Sequence, residues 1–213
     1  MIHPDTQLRF ISPDMGYGVF ATRLIPKGTL VYVRDALEIA LSYQEYRRKS
    51  PSVRYLVDKF SYIDRVGDRV MSWDFGKYVN HNCTPNAMTT GYGFEVAIRD
   101  IQPGEEITDE YGLFNIIEEM KCFCGSENCR GSIHPGDFGK YSRIYDEKIR
   151  PALTFVHQLR QPLWEHLEPS VIAALHAFSD NPSLYVSVTA QKRVRGKRKP
   201  EKFVAHVNGK NGK

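Results

Sequence analysis

Four cysteines stand at positions 83, 122, 124 and 129 of this 213-residue chain, three of them within eight residues as Cys-Phe-Cys-Gly-Ser-Glu-Asn-Cys. Such clustering is not a disulfide framework. The opening residues, Met1 to Asp14, have neither a basic n-region nor an apolar h-region, so the chain is expected to remain in the compartment where it is made. Reducing conditions there would leave the thiols free to bind a metal. Zinc takes four soft ligands in a tetrahedron, and four thiolates would close a structural site with no open position for chemistry. The alternative is that these are ordinary buried thiols, a reading that weighs more for the remote Cys83 than for the cluster.

Composition is that of an ordinary folded protein, with 41% hydrophobic and 25% charged residues. No run approaches the roughly 20 apolar residues that a membrane helix needs, so no membrane partner is expected. The net charge of +4 is unevenly spread. Residues 191–213 hold nine Lys or Arg against the single acid Glu201, which leaves 20 basic and 24 acidic residues in positions 1–190. The body is therefore mildly acidic and suited to a basic partner, while the tail is polar, basic and expected to be disordered.

Along residues 7–110, short apolar or alternating runs are broken by turn residues every eight to twelve positions, a β-rich pattern too closely spaced for βαβ units. Strands are expected at 8–11, 17–21, 29–33, 60–64, 68–72, 86–90, 94–98 and 106–108. A helix from the N-cap Ser42 to about Lys49 interrupts them, and a helical turn is expected before Asn80. After the cysteines the period changes. Tyr141, Ile144, Tyr145, Ile149, Leu153, Val156 and Leu159 recur mostly at three- and four-residue steps, predicting a helix that Pro151 would kink or restart, and Pro169 opens another through Phe178.

Three segments carry chemistry: Met15-Gly16-Tyr17-Gly18-Val19-Phe20, Tyr78-Val79-Asn80-His81-Asn82-Cys83-Thr84-Pro85-Asn86, and Pro103-Gly104-Glu105-Glu106-Ile107-Thr108-Asp109-Glu110-Tyr111-Gly112 leading to the cysteine cluster. Taken alone, Gly-x-Gly in a hairpin is most often structural, His81 an internally bonded buried histidine, and Asn82 and Asn86 turn residues. In combination and order they resemble the SET-domain family of protein lysine methyltransferases. That family has a Gly-x-Gly strand, an Asn-His-Ser-Cys-x-Pro-Asn loop, a Gly-Glu-Glu-Leu-Thr-x-Asp-Tyr strand and a post-SET Cys-x-Cys-x4-Cys. The likeness covers residues 8–133.

The resemblance implies a mainly β SET-type fold of small curved sheets (β-clip), a post-SET zinc segment and an α-helical C-terminal extension. It implies S-adenosyl-L-methionine as methyl donor and a protein substrate presenting a lysine, histones being one candidate. By the same resemblance Gly16, Tyr17 and Gly18 line the donor pocket, Asn80 and His81 hold the donor, Phe123 contacts it, and Tyr111 is the catalytic tyrosine. Cys83, Cys122, Cys124 and Cys129 would hold structural zinc, which gives Cys83 its reason. One departure bears on product: the aromatic residue usual two positions before the tyrosine is Asp109 here. It either alters the lysine channel or points to solvent while another aromatic closes the channel. Glu110 for aspartate, Asn82 for serine and Lys77-Tyr78 for Arg-Phe preserve the general chemistry.

The expected organisation is a SET domain over 1–115, a zinc-binding segment over 116–135, a helical extension over 136–190 and a basic tail over 191–213. Lys192 to Lys199 could serve nuclear import or contact nucleic acid; the location implied is intracellular, cytoplasmic or nuclear. The competing reading is a catalytically silent zinc-containing module whose basic tail holds nucleic acid or an acidic protein. The joint presence of Asn80, His81 and Tyr111 argues against it.

Overall fold

The computed structural model describes residues 1–194. Strands β1 (Thr6–Ser12) and β2 (Gly16–Ala21) form an antiparallel hairpin with Phe10 opposite Tyr17 and Ser12 opposite Gly16. Gly16 has φ 76°, left-handed backbone that only a residue without Cβ adopts cheaply, and it closes the hairpin at the expected place. β3 (Leu30–Val33) follows, then β4 (Ile39–Leu41) and two helices. The first, α1 (Tyr43–Arg47), starts from a full capping box in which Ser42 and Glu45 bond each other's backbone. The second, α2 (Pro51–Phe60), was not expected from the sequence, although Ser50 caps it and Pro51 fills its first turn. β5 (Ser61–Ile63) and β6 (Arg69–Met71) complete a three-stranded sheet ordered β4-β6-β5.

A 3-10 turn at Phe75–Tyr78 leads, as expected, into β7 (Asn80–His81). β8 (Ala87–Thr89) and β9 (Phe94–Ala97) join β3 in a sheet ordered β3-β9-β8. β10 is Thr108–Asp109, displaced from the expected 106–108, and pairs in parallel with β7. β11 (Met120–Lys121) and β12 (Ser132–Ile133) bracket the cysteine cluster. The fold is thus mainly small β-sheets, with its two longest helices toward the C-terminus.

Those helices are α3 (Asp137–Leu153) and α4 (Pro169–Asp180). α3 is one continuous helix with Pro151 in its last turn, so the proline neither kinks it midway nor starts a second one. The predicted periodicity overran its end: Val156 is buried from a following turn, and Ile144 is exposed at 47%. Tyr145, Ile149 and Leu153, spaced by four, pack with Phe178 of α4 onto Leu30, Met88, Phe94 and Val96 of the β3-β9-β8 sheet. Removing such large side chains from water contributes roughly 1.5–3 kcal/mol each. A second core of Val19, Ala21, Ile25, Val31, Ile101 and Ile107 lies under the hairpin.

The chain beyond α4 is tied down by Asp146, whose carboxylate accepts from Tyr185 Oη (2.7 Å), Ser187 Oγ (2.6 Å) and the Val188 N–H (2.9 Å). Bonded chain continues past the expected boundary at 191. Gln191 Nε2 donates to Gly91 O at 2.8 Å, the Arg193 N–H to Asn115 Oδ1 at 2.7 Å, and the Val194 N–H to Arg65 O at 3.1 Å. The rest of the expected tail, from Arg195, lies outside the described residues.

Candidate active site and cysteine centre

The parallel pairing of β7 with β10 sets Asn80 beside Thr108 and His81 beside Asp109, which brings the asparagine-histidine loop against the strand leading to Tyr111. Asn86 locks the two together. It is 1% exposed, its Nδ2 donates to Glu106 O (2.7 Å) and Glu105 Oε1 (3.0 Å), and its Oδ1 accepts the Thr108 N–H (2.9 Å). The expectation of a turn residue therefore holds for Asn82, whose Oδ1 accepts the Thr84 N–H at 2.8 Å, but not for Asn86. Asn86→Ala should leave buried backbone groups unpaired and lower stability by about 2 kcal/mol, read as a fall in the urea midpoint at unchanged slope.

Asn80 Nδ2 donates to Tyr17 O (3.1 Å) and Glu106 Oε1 (2.7 Å), tying the loop to the hairpin. Gly18 makes that approach feasible: a Cβ there would meet Ile11 Cδ1 at 2.7 Å and Asn80 Nδ2 at 3.1 Å, besides the Glu106 carboxylate. His81 Nδ1 lies 3.2 Å from the Tyr111 backbone N and 3.1 Å from Asp109 O, and Nε2 lies 3.4 Å from Cys83 Sγ. Burial first, then the Arg130 guanidinium, lowers the imidazole to about 4 and keeps it neutral near pH 7. The Tyr111 hydroxyl donates to Val79 O at 2.7 Å. Burial, followed by the Asp109, Glu95 and Glu106 carboxyls, raises this phenol well above its ordinary value, so it stays a donor and not a base at neutral pH.

One cavity gathers Tyr17, Asn80, His81, Tyr111, Phe123 and the thiol-bearing Cys122 and Cys124. Gly16 and Gly18 flank it and are not on its wall; they shape the hairpin that carries Tyr17. Tyr17 and Phe123 are exposed at 47% and 66%, marking an open rim, whereas Tyr32, Tyr62 and Glu95 line it from the sheets. Asp109 is fully buried, with Oδ2 accepting from Thr89 Oγ1 (3.2 Å) and Oδ1 from the Glu110 N–H (2.6 Å). Of the two alternatives for Asp109, the one in which its carboxylate faces solvent is corrected.

The four Sγ atoms of Cys83, Cys122, Cys124 and Cys129 lie within 4.8 Å of one another, with Cys83 and Cys122 3.7 Å apart. A tetrahedral zinc with Zn–S bonds of about 2.3 Å would set its sulfurs about 3.8 Å apart. Backbone N–H groups point at the sulfurs: Arg130 to Cys83 (3.4 Å), Cys83 to Cys124 (3.5 Å) and Gly131 to Cys129 (3.4 Å). Such donors favour thiolates, so the residues fit a metal of soft preference. The remote Cys83 belongs to the group.

Arg130 was not singled out in the sequence. Its Nη2 meets Glu110 Oε1 at 2.6 Å and its Nη1 meets Tyr145 Oη at 3.1 Å, joining the cysteine segment to the tyrosine strand and to α3. Nothing in local spacing marks it, because its partners lie 20 and 15 residues away.

The SET domain family model matches residues 16–112. The variant-silencing SET domain-containing protein of Plasmodium falciparum (isolate 3D7) is 34% identical over 132 residues, 54% of this chain and 5% of that protein. Histone-lysine N-methyltransferase Set2 of Drosophila melanogaster is 29% identical over 140 residues, 58% of this chain and 6% of that protein. The chain thus spans a small fraction of these relatives' length. Among solved structures, the methyltransferase domain of human histone-lysine N-methyltransferase SETMAR aligns with a TM-score of 0.43 at 20% identity, covering 62% of this chain and 58% of that one. Residues 16–112, with the asparagine-histidine loop and the tyrosine strand joined as described, are a SET domain, and the chain that carries them has methyltransferases among its relatives.

Proposed function

We propose that the chain is a protein-lysine N-methyltransferase using S-adenosyl-L-methionine, with zinc held by Cys83, Cys122, Cys124 and Cys129. The observation that carries this reading is the convergence of Tyr17, Asn80, His81, Tyr111 and the cysteine segment on one cavity, although they come from four separate stretches of sequence. When bound, the donor supplies an electrophilic methyl on a sulfonium, which leaves as a neutral thioether when a lysine nitrogen forms the new N–C bond. Tyr17, Asn80, His81 and Phe123 would hold the donor at the cavity wall, with Gly16 and Gly18 setting the hairpin against it. Tyr111, held by Val79 O and by its N–H bond to His81, would orient the amine. Alignment at a near-attack separation of roughly 3–3.5 Å can supply much of the rate. The lysine must arrive neutral, and a desolvated channel beside a sulfonium favours that form.

Histones are the first substrates to test, because relatives are named for histone lysine methylation and the body of this chain is acidic. A nuclear location follows the same relatives. Labelled donor is offered to core histones and lysate proteins, and modified sites are read by mass spectrometry. Methyl-lysine on a discrete site supports the reading; no transfer to any protein by enzyme that also fails to bind S-adenosylhomocysteine refutes it.

The basic tail is proposed to hold a polyanion and to be dispensable for chemistry. Truncation after Val194 keeps the bonded strap and removes seven Lys or Arg with one acid. Turnover on a short peptide should stay unchanged, while turnover on nucleosomes falls and loses much of its salt dependence, because tail-phosphate contacts release counterions. Kinetics of both proteins on both substrates at two salt concentrations check this. A collapse on the peptide places the tail in the catalytic fold.

A further inference from the structure

Beyond α4 the chain returns to the cavity and is fastened beside it. Asn115 stands between Phe114 and Ile116, two residues of the cavity wall, and is the one non-glycine with positive φ among the described residues, at 52°. Its Nδ2 donates to the carbonyl of a third lining residue, Ile63 (3.1 Å), and to Gln191 O (3.0 Å), while its Oδ1 accepts the Arg193 N–H at 2.7 Å. Val194 then donates to Arg65 O at 3.1 Å, on a turn that Asp64 Oδ1 holds through the N–H groups of Val66, Gly67 and Asp68. The last described residue is thus bonded two positions from Ile63. Residues 195–213 continue from this point with five lysines and two arginines against one acid. Glu118 and Glu119, on the stretch between the lining residues Ile116 and Met120, give the near side of the cavity the complementary charge.

We propose that the segment 195–213 is a substrate of the cavity beside which it is fastened, so that Lys202 is methylated by the chain that carries it. The inference rests on the lysine methyltransferase reading and adds to it a first substrate, a lysine-rich segment delivered in cis. Reach selects the lysine. Asn115 is four residues from Tyr111, so their Cα atoms are no more than about 15 Å apart. Lys197, three residues past Val194, extends about 10 Å at most, and Lys199, at five, about 17 Å, which leaves no slack for a turn into the cavity. Lys202, at eight, extends about 26–29 Å and is the first that crosses with chain to spare. A linker that spans its two sites holds the tethered group at an effective concentration on the order of millimolar, so modest affinity suffices. The Lys202 ammonium gives a proton to solvent, and its neutral nitrogen forms the N–C bond as the C–S bond of S-adenosyl-L-methionine breaks, the electron pair staying on sulfur. Methylation keeps the positive charge, so the tail's attraction to a polyanion persists. Each chain is modified once, so steady-state turnover on an added peptide is unaffected.

The test incubates the full chain alone with labelled S-adenosyl-L-methionine and locates the label by mass spectrometry. Label is expected on Lys202, with a first-order rate constant unchanged over about a twentyfold dilution of the protein. Lys202→Arg should remove that label and leave turnover on a histone peptide intact. Deleting residues 195–198 places Lys202 four residues past Val194, within about 14 Å, and should lower its labelling at least about tenfold. The deletion lies beyond the bonded strap, so the fold is untouched. A rate that rises in proportion to protein concentration shows transfer between chains and overturns the proposal, as does label on Lys197 alone or undiminished labelling of Lys202 after the deletion. Label on the histone peptide but none on 195–213 refutes this inference and leaves the methyltransferase reading standing. No label on either, from protein that also fails to bind S-adenosylhomocysteine, refutes both.

Discussion

Replacing Tyr111 by Phe is expected to lower turnover on the order of a hundredfold, about 2.7 kcal/mol of barrier, while donor affinity stays nearly unchanged. The substitution keeps the ring and its packing, 5.4 Å from the His81 ring and 5.0 Å from the Phe114 ring. What it removes is one hydroxyl, which already donates to Val79 O at 2.7 Å and is therefore fixed in direction before substrate arrives. The cost to the fold is one hydrogen bond to a backbone carbonyl, about 1 kcal/mol, so a midpoint shift of that size with a much larger kinetic loss separates positioning from folding. The effect should fall equally on kcat and kcat/KM if the hydroxyl acts only when the amine is being aligned. Retained turnover refutes the catalytic assignment. A large loss of S-adenosylhomocysteine affinity would instead place the tyrosine in the donor's binding surface.

The parts legible in the sequence were those with local signals. The hairpin around Gly16, the capping box at Ser42, the sheet strands with two or more buried apolar positions and the four-residue spacing on α3 each state themselves within ten residues or fewer. The cysteines were legible because ligand spacing is itself local for three of them, and the family likeness brought in Cys83. What escaped was long-range and polar. β7 and β10 are two residues each and have no period to read, yet their parallel pairing builds the site. Asn86 looked like a turn residue because its type favours turns, and only its burial beneath Glu106 makes it a clamp. Glu95 alternates with the apolar Phe94 and Val96, yet it is only 9% exposed and lies beside Asp109 of β10. Arg130, Glu110 and Asp137 form an ion cluster between segments that the sequence presents as unrelated.

Zinc should be found at about one ion per chain, and Cys124→Ser should abolish that stoichiometry and weaken donor binding while the sheets remain folded. Apparent binding energies of structural zinc are about 10–16 kcal/mol, far more than the small third core of Ile116, Met120, Cys122 and Ile133 can supply from burial. The segment between β11 and β12 has few apolar side chains, and its two strands are two residues long. The metal would therefore provide most of its order. Phe123, on the cavity rim between two of the thiols, would be released with it, which is why donor affinity should respond. The main cores, by contrast, draw most of their buried residues from the β3-β9-β8 sheet, α3, α4 and the hairpin, none of which contributes a thiol. Elemental analysis gives the stoichiometry, far-UV circular dichroism the retained sheets, and hydrogen exchange the loss of protection confined to residues around 116–133. Full donor affinity in metal-free protein with four titratable thiols would remove zinc from the account and return the cluster to ordinary buried cysteines. Unfolding of the whole chain by Cys124→Ser would show instead that the centre supports the β-sheets as well as the segment that closes the cavity.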